Sequence, residues 1–489
     1  MALPTDQSSS LPFYNSSGAI NQISRNGAWW HYRTLSLKAV SNVVFCLATL
    51  VIIIFALAQG SLSTLMAYLI FGFFGFAFAG MVGKAGVPLF GLVFGISVLS
   101  AVVLYLIYSS RYGLPYFIGG SDDLSYELDA EILAKNLWRY NAEEIGWLIN
   151  FPYHNSKGYI YLVSLLVRFG DSLGGFHTMI PRLFNCSVLG LASVVTYSIS
   201  RQIGLLPYPA KLTALWVGLF PMMVYSAIHT FRDIPVALLL LITAKLALVI
   251  SGSRQWLVPV LLSAVMVSLF FVMAELRFFY LIALAAMLAT AWFARLWPEK
   301  RFRIASILIL IIPVFITGYL LLSMELKILL DSLSAIDRYG RSLAGGRGSE
   351  DGLAARLFSL PPPWIYIGRF TYALVTPLPI LYSNIEWNLL GAGAMAQFFF
   401  AAFVLLGIKE TYRNIWLLPM LFGFAILFFG YTMGTFTFRH ITAFVPFAAI
   451  YGVIGYSKFR HYRAFIFGMC AFLLIMAGTV YMYLKYLRF

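Results

Sequence analysis

The sequence predicts an all-α polytopic membrane protein, and three observations carry that class. The mean hydropathy of the 489-residue chain is +0.84. Hydrophobic residues make up 61% and charged ones only 11%, more apolar surface than a soluble domain can hide. The apolar residues fall in runs of the roughly 20 that an α-helix needs to cross a bilayer. The charges between the runs sort by sign to opposite sides, as the positive-inside rule requires.

Taken in order, residues 1–36 are polar and show no apolar core followed by a cleavage site, so the first span is expected to act as an uncleaved targeting signal. About 13 spans of membrane-crossing length follow: 37–58, 63–83, 86–109, 178–201, 211–230, 232–252, 256–275, 278–296, 303–323, 388–407, 415–433, 441–457 and 463–484. With residues 1–36 in the cytoplasm, the Lys and Arg of the short inner loops (Lys84, Arg201, Lys300, Arg301, Arg413 and Arg460 among them) fall inside. Of the 19 acids, only Asp6, Glu299 and Glu410 join them. The opposite orientation puts Arg-rich short loops outside. The net charge of +15 therefore belongs to loops at a membrane surface and does not point to nucleic acid. Cys46, Cys186 and Cys470 are scattered, with no CxxC, and read as small buried hydrophobes.

Two outward segments, 110–177 and 324–387, are too long to be connectors. The chain then divides into a cytoplasmic segment 1–36, two N-terminal membrane helices over 37–85, and one membrane domain over 86–489 that carries both long loops. The first loop holds Gly119-Gly120-Ser121-Asp122-Asp123-Leu124-Ser125-Tyr126-Glu127, adjacent carboxylates directly after an apolar span. From Asp122 to Arg139 there is no Gly or Pro, and Leu124, Leu128, Ile132, Leu133 and Leu137 recur at helical spacing. This predicts an interfacial amphipathic helix with the acids on its other face. Residues 158–169 are apolar but too short to span, and predict a second interfacial helix. The second loop runs from a glycine-rich patch at 344–352 into Pro361-Pro362-Pro363, a hinged segment able to close over a ligand. Residues 364–382, with Arg369 inside, read as a re-entrant element.

Charged residues gather at outer helix ends: Asp122-Asp123, His229 with Arg232-Asp233, Glu275 with Arg277, and Arg439-His440. Arg182 lies near the outer end of another span. A charge at membrane depth costs roughly 2.5–3.5 kcal/mol on insertion scales, so it is retained with a partner or a role. Four such groups on one membrane face, beside an acidic loop, predict a shared functional site. No soluble-enzyme signature is present: no GxxxxGK[ST], GxSxG or HExxH.

The order of these motifs resembles the GT-C superfamily of polytopic glycosyltransferases, in particular the bacterial branch akin to protein O-mannosyltransferases and lipid A aminoarabinose transferases. The resemblance runs from about residue 86 to the C-terminus. It rests on Asp122, Asp123 and Tyr126 after a span, then Gly158–Gly170 and Arg182. Pro221 and Asp233 follow, then Gly434-Thr435, Arg439 and Pro446. The chain departs from the family in its two extra helices before residue 86, in Asp123 where Glu is common, and in lacking a C-terminal soluble domain.

The resemblance implies a GT-C-like helical bundle that moves a sugar from a polyprenyl-phosphate donor to a hydroxyl of a lipid-linked glycan, polysaccharide or protein, at the outer face of a bacterial inner membrane. Asp122, with Asp123 second, is expected to be the general base that deprotonates the acceptor hydroxyl. Arg439 and Arg232, then Arg277 and Arg182, are expected on the donor phosphate, which a planar guanidinium binds in pairs of bonds. Asp233, Tyr126, His229, His440 and Glu275 are supporting residues. A divalent metal (Mg²⁺ or Mn²⁺) on Asp122 and Asp233 is left open. Two alternatives stand beside this reading: a polysaccharide polymerase using diphosphate-linked donors, and a transporter of lipid-linked sugars, although transporters place charges at the membrane midplane, often within inverted repeats.

Overall fold

The computed structural model describes residues 36–116, 122–136, 156–253, 255–298, 385–433 and 438–483, with positions 361, 364 and 368, and its regular elements are all helical. The expected span 303–323, the glycine-rich patch at 344–352, Gly434-Thr435 and residues 1–35 lie outside the described residues. Among the described residues, eight helices are long and apolar enough to cross a membrane, or up to 10 if each of two bent pairs counts as one span. The chain is therefore a polytopic all-α membrane protein, with 8 to 10 of the expected 13 spans seen among the described residues.

The expected spans map closely onto the first part of the chain. Helix α1 covers Leu37–Ala58, α2 Leu62–Val82 and α3 Gly86–Tyr112. Ser36 caps α1 by accepting from the Ala39 amide at 3.2 Å. Gly113, at φ 74, ends α3 in the left-handed conformation that glycine adopts at least cost. Helix α4 (Asp122–Asn136) and α5 (Lys157–Asp171) pack on each other at the α3 exit, and α6 (Met179–Gln202) returns through the bundle.

The span expected at 211–230 is two helices, α7 (Pro207–Leu219) and α8 (Pro221–Ala227), bent by 51°. The cause is Pro221, whose ring pushes its predecessor out of the helical region: Phe220 sits at φ −61, ψ 127. Then come α9 (Asp233–Gly252), α10 (Leu257–Arg277) and α11 (Leu281–Leu296), the last shorter than a full span at 16 residues. The final group is α12 (Ile385–Thr411), α13 (Leu418–Met433), α14 (Val445–Lys458) and α15 (Arg463–Met482), with α14 and α15 meeting at 88°.

Helix α6 is the axis of the bundle. It packs on α2, α3, α7 and α9, and 72% of its apolar window is buried against 17% for α10. The peripheral α1, α2, α10 and α15 turn Leu, Phe and Ile outward, as helices facing lipid do. Packing between helices relies on small residues at close approaches. At the α12–α14 crossing a Cβ on Gly407 would sit 1.8 Å from the Tyr451 carbonyl oxygen, and one on Gly455 2.1 Å from that of Phe403. Both obstacles are backbone and cannot rotate aside.

Gly407→Val is accordingly expected to destabilise the detergent-solubilised protein by roughly 1–3 kcal/mol, the usual range for overpacking. Gly430→Ala, which meets open space, serves as the neutral control. Paired thermal melts check this, and equal midpoints for the two variants would contradict the packing.

Candidate active site at one end of the bundle

The helix ends that carry the predicted site residues meet at one place. The bend at Pro221 brings α8 to a turn over residues 228–232, which feeds straight into α9 at Asp233. Asn185 of α6 holds this turn: its amide donates to the carbonyls of His229 (2.8 Å) and Phe231 (2.9 Å) and to the Tyr159 hydroxyl (3.1 Å). His229 is buried within it, its Nδ1 against the Tyr225 carbonyl at 2.7 Å and its Nε2 against the Tyr108 hydroxyl at 3.2 Å.

On this floor stand three arginines. Arg277, at the end of α10, donates to Asp233 at 2.6 Å in a buried ion pair. Arg232 donates to the Leu276 carbonyl at 3.2 Å and to the Ser156 hydroxyl. Ser156 also meets the Tyr126 hydroxyl at 3.2 Å, so α4, the α5 start and the 228–232 turn are linked. Arg439, in the short 3₁₀ turn Phe438–Ala443, donates to Asp122 at 2.5 Å and lies over the Phe231 ring at 4.4 Å. Asp122 keeps half its side chain exposed, whereas Arg439 is mostly covered.

The electrostatics mark this as one cationic cluster. Burial and then the neighbouring Arg277 and Arg439 lower the pKa of Arg232. Burial works against the charge of Arg439, but Asp233 and Asp122 outweigh it and raise its pKa. His440 is held well below the ordinary histidine range by burial first, then by Arg277, Arg439 and Arg232, and so is neutral at pH 7. Three guanidiniums gather beside the carboxylates of Asp122 and Asp233, a concentration of planar N–H donors suited to an anion.

Two predicted residues do not join this cluster. Glu275 is exposed, its Cβ and backbone against Gly158. Arg182 is fully buried elsewhere: it donates to the Pro115 carbonyl at 2.5 Å and lies over the rings of Tyr105 and Tyr116, while its Nε and Nη1 have no partner among the described residues. Asp123 is also buried, beside the exposed Asp122.

Helix α4 forms as expected, but its acids do not share one face, Asp122 being exposed while Asp123 and Glu127 are buried. Leu128 and Ile132 point outward and are exposed, whereas Asp123, Tyr126, Glu127, Ala130, Leu133 and Ala134 face the bundle. The reason is Glu127. Its Oε1 accepts from the Thr178 hydroxyl at 2.8 Å and from the Thr230 hydroxyl, and its Oε2 from the Tyr116 hydroxyl at 2.8 Å. Glu127 is missing from the sequence-predicted site because it reads as one more acid on a polar face. A signal was there: Asp123, Glu127, Ala130 and Ala134 repeat at helical spacing, and small residues mark the packed side of a helix in lipid.

Among the described residues, no group of three or more His, Cys, Asp or Glu is arranged to hold a metal ion. Asp122 and Asp233 each face an arginine instead of each other, a donor set that does not fit a divalent ion. No family model matches the chain, and neither a curated protein nor a solved structure matches it.

Burial pushes the Glu127 carboxyl up from its ordinary 4.5 to about 7, with Arg182, Thr230, Thr178 and Tyr116 working the other way. The folded protein therefore holds this proton more tightly than the unfolded chain. The contribution of this carboxyl to stability is fully present below pH 4.5 and is lost as pH rises through 7, by up to about 3 kcal/mol. Thermal melts across that window should show the slope, and Glu127→Gln should flatten it. An unchanged slope in the variant would assign it to another group.

Proposed function

We propose that this protein is an integral-membrane glycosyltransferase whose site lies at the outer face of a bacterial inner membrane, residues 1–36 being cytoplasmic. The observation that carries the reading is the Asp122–Arg439 pair: an accessible carboxylate at the lip of an otherwise buried arginine cluster. Glycosyl transfer from a lipid phosphate needs both parts side by side, a base for the acceptor and cations for the leaving phosphate. The order of motifs shared with the GT-C superfamily supports the same reading.

In this mechanism the donor is a polyprenyl-phosphate sugar whose tail lies in lipid between helices. Its phosphate binds against the guanidiniums of Arg232, Arg277 and Arg439. Asp122 accepts the proton of the acceptor hydroxyl as that oxygen attacks the anomeric carbon. The bond from the anomeric carbon to the phosphate oxygen breaks, and its electron pair leaves with the lipid phosphate, whose growing charge the guanidiniums stabilise. Asp233 fixes Arg277 for this task. Asp123 is buried behind Asp122 and supports the first turn of α4, its Oδ1 accepting from the Leu124 amide at 3.1 Å. The acceptor is a hydroxyl of a lipid-linked glycan, polysaccharide or protein.

Purified protein in nanodiscs, given a panel of polyprenyl-phosphate and polyprenyl-diphosphate sugars, should release lipid phosphate from one of them. Asp122→Asn should lower that rate by roughly 10²–10⁴. Arg439→Lys should raise KM for the donor, since a point charge does not replace the planar fork. Release only from a diphosphate donor would reassign the protein as a polymerase. Transbilayer movement of labelled lipid without release would reject the enzyme reading in favour of transport.

A further inference from the structure

Helix α4 carries the proposed base, and the face it docks with is mixed. Leu128 and Ile132 point away from the bundle, while Tyr126, Ala130, Leu133 and Ala134 join the core together with the polar Asp123 and Glu127. Hydrogen bonds add direction to this packing on α5. One is the Asp122–Arg439 pair, which belongs to the site itself. Others are Tyr126 to Ser156 at 3.2 Å, and the Arg168 Nε donating to the Ala134 carbonyl at 2.9 Å.

Glu127 is different in kind. It is 1% exposed, and hydroxyls from three separate segments converge on its two oxygens: Tyr116 after α3, Thr178 immediately before α6, and Thr230 in the turn between α8 and α9. Thr230 lies two residues before Arg232 and three before Asp233. One carboxyl thus ties the helix that bears Asp122 to the turn that bears Arg232. It is closed off from the exposed Asp122 side, so it touches no substrate.

We propose that Glu127 is a positioning residue: by gathering Tyr116, Thr178 and Thr230 it sets where Asp122 stands relative to Arg232 and Arg439. Its role is to direct hydrogen bonds and not to supply charge, because a neutral amide of the same shape still accepts from two hydroxyls and donates to the third. The kinetic part of this inference rests on the transferase reading; the structural part does not.

The test compares Glu127→Gln, Glu127→Ala, Thr178→Val and Thr230→Val in the full-length protein. Amide hydrogen exchange over residues 122–136 reads the docking of α4 directly. Exchange should quicken in Glu127→Ala and, by less, in each threonine variant, and stay protected in Glu127→Gln. In the donor-release assay kcat should fall about a hundred-fold in Glu127→Ala, the cost of an ångström-scale misplacement. KM for the donor should stay within about threefold, because two of the three arginines, Arg277 and Arg439, are held from α10 and the 438–443 turn. Glu127→Gln should restore most of kcat.

Should Glu127→Ala not fold, the two threonine variants, each missing one bond, decide by the same exchange measurement. Unchanged exchange over α4 in these variants overturns the proposal. So does a donor KM that rises in step with the loss of kcat, or a Gln variant as impaired as Ala. If the wild-type protein releases no lipid phosphate at all, the transferase reading fails while the exchange result still settles whether Glu127 docks α4.

Discussion

Charge kept out of water at the end of the bundle is the constraint on which the rest of this structure depends. Removing an ion from water costs several kcal/mol even after the protein relaxes, and removing one partner of a buried pair leaves that cost uncompensated. Arg277 with Asp233, and Glu127 with its three hydroxyls, meet it in two ways. The ion pair needs two helix ends brought to contact, the C-terminus of α10 and the N-terminus of α9. The carboxyl needs three segments whose polar side chains point inward together. Much of the local architecture follows: the proline break before α8, the turn held by Asn185, and the short 3₁₀ turn that presents Arg439.

The same constraint separates two layers of chemistry. Behind, Asp233 and Glu127 have fixed partners, and His440 is kept neutral by burial first and then by the surrounding arginines. In front, Asp122 is half exposed and reaches back to Arg439 with a single contact. A group in that position can change partners without disturbing the core. The arginine it leaves stays held over Phe231. Site and scaffold are thus distinguished by how many bonds each side chain would lose on meeting a ligand.

Much of the fold was legible because membrane spans announce themselves by length and composition: α1, α2, α3, α6 and α9 begin and end within a few residues of where hydropathy places them. What was not legible was whether two adjacent apolar stretches are collinear. Pro221 made the α7–α8 bend visible in principle, but the 88° turn between α14 and α15 has no proline or glycine at residues 459–462 to mark it. Of the site, Asp122, Arg232, Asp233, Arg277 and Arg439 were readable as charges at helix ends and do come together. Arg182 read the same way and stands apart, because sequence gives depth along a helix but not direction around it.

The spacing along α4 predicts an interfacial helix with its acids on one face, and the structure divides those acids, Asp122 outward and Asp123 with Glu127 inward. Beside a bilayer the apolar exterior is itself a good solvent for leucine, so burying Leu128 and Ile132 against protein gains little. The gain comes from sheltering groups that lipid cannot satisfy, and α4 accordingly turns Asp123 and Glu127 inward with alanines to let them approach. In a chain of this composition an acid repeated at i and i+4 with small residues on the same stripe is better read as a docking face than as a solvated one. That pattern marks Glu127 as a residue of the junction, and it explains why a helix so rich in acids can stay seated on a bundle so poor in charge.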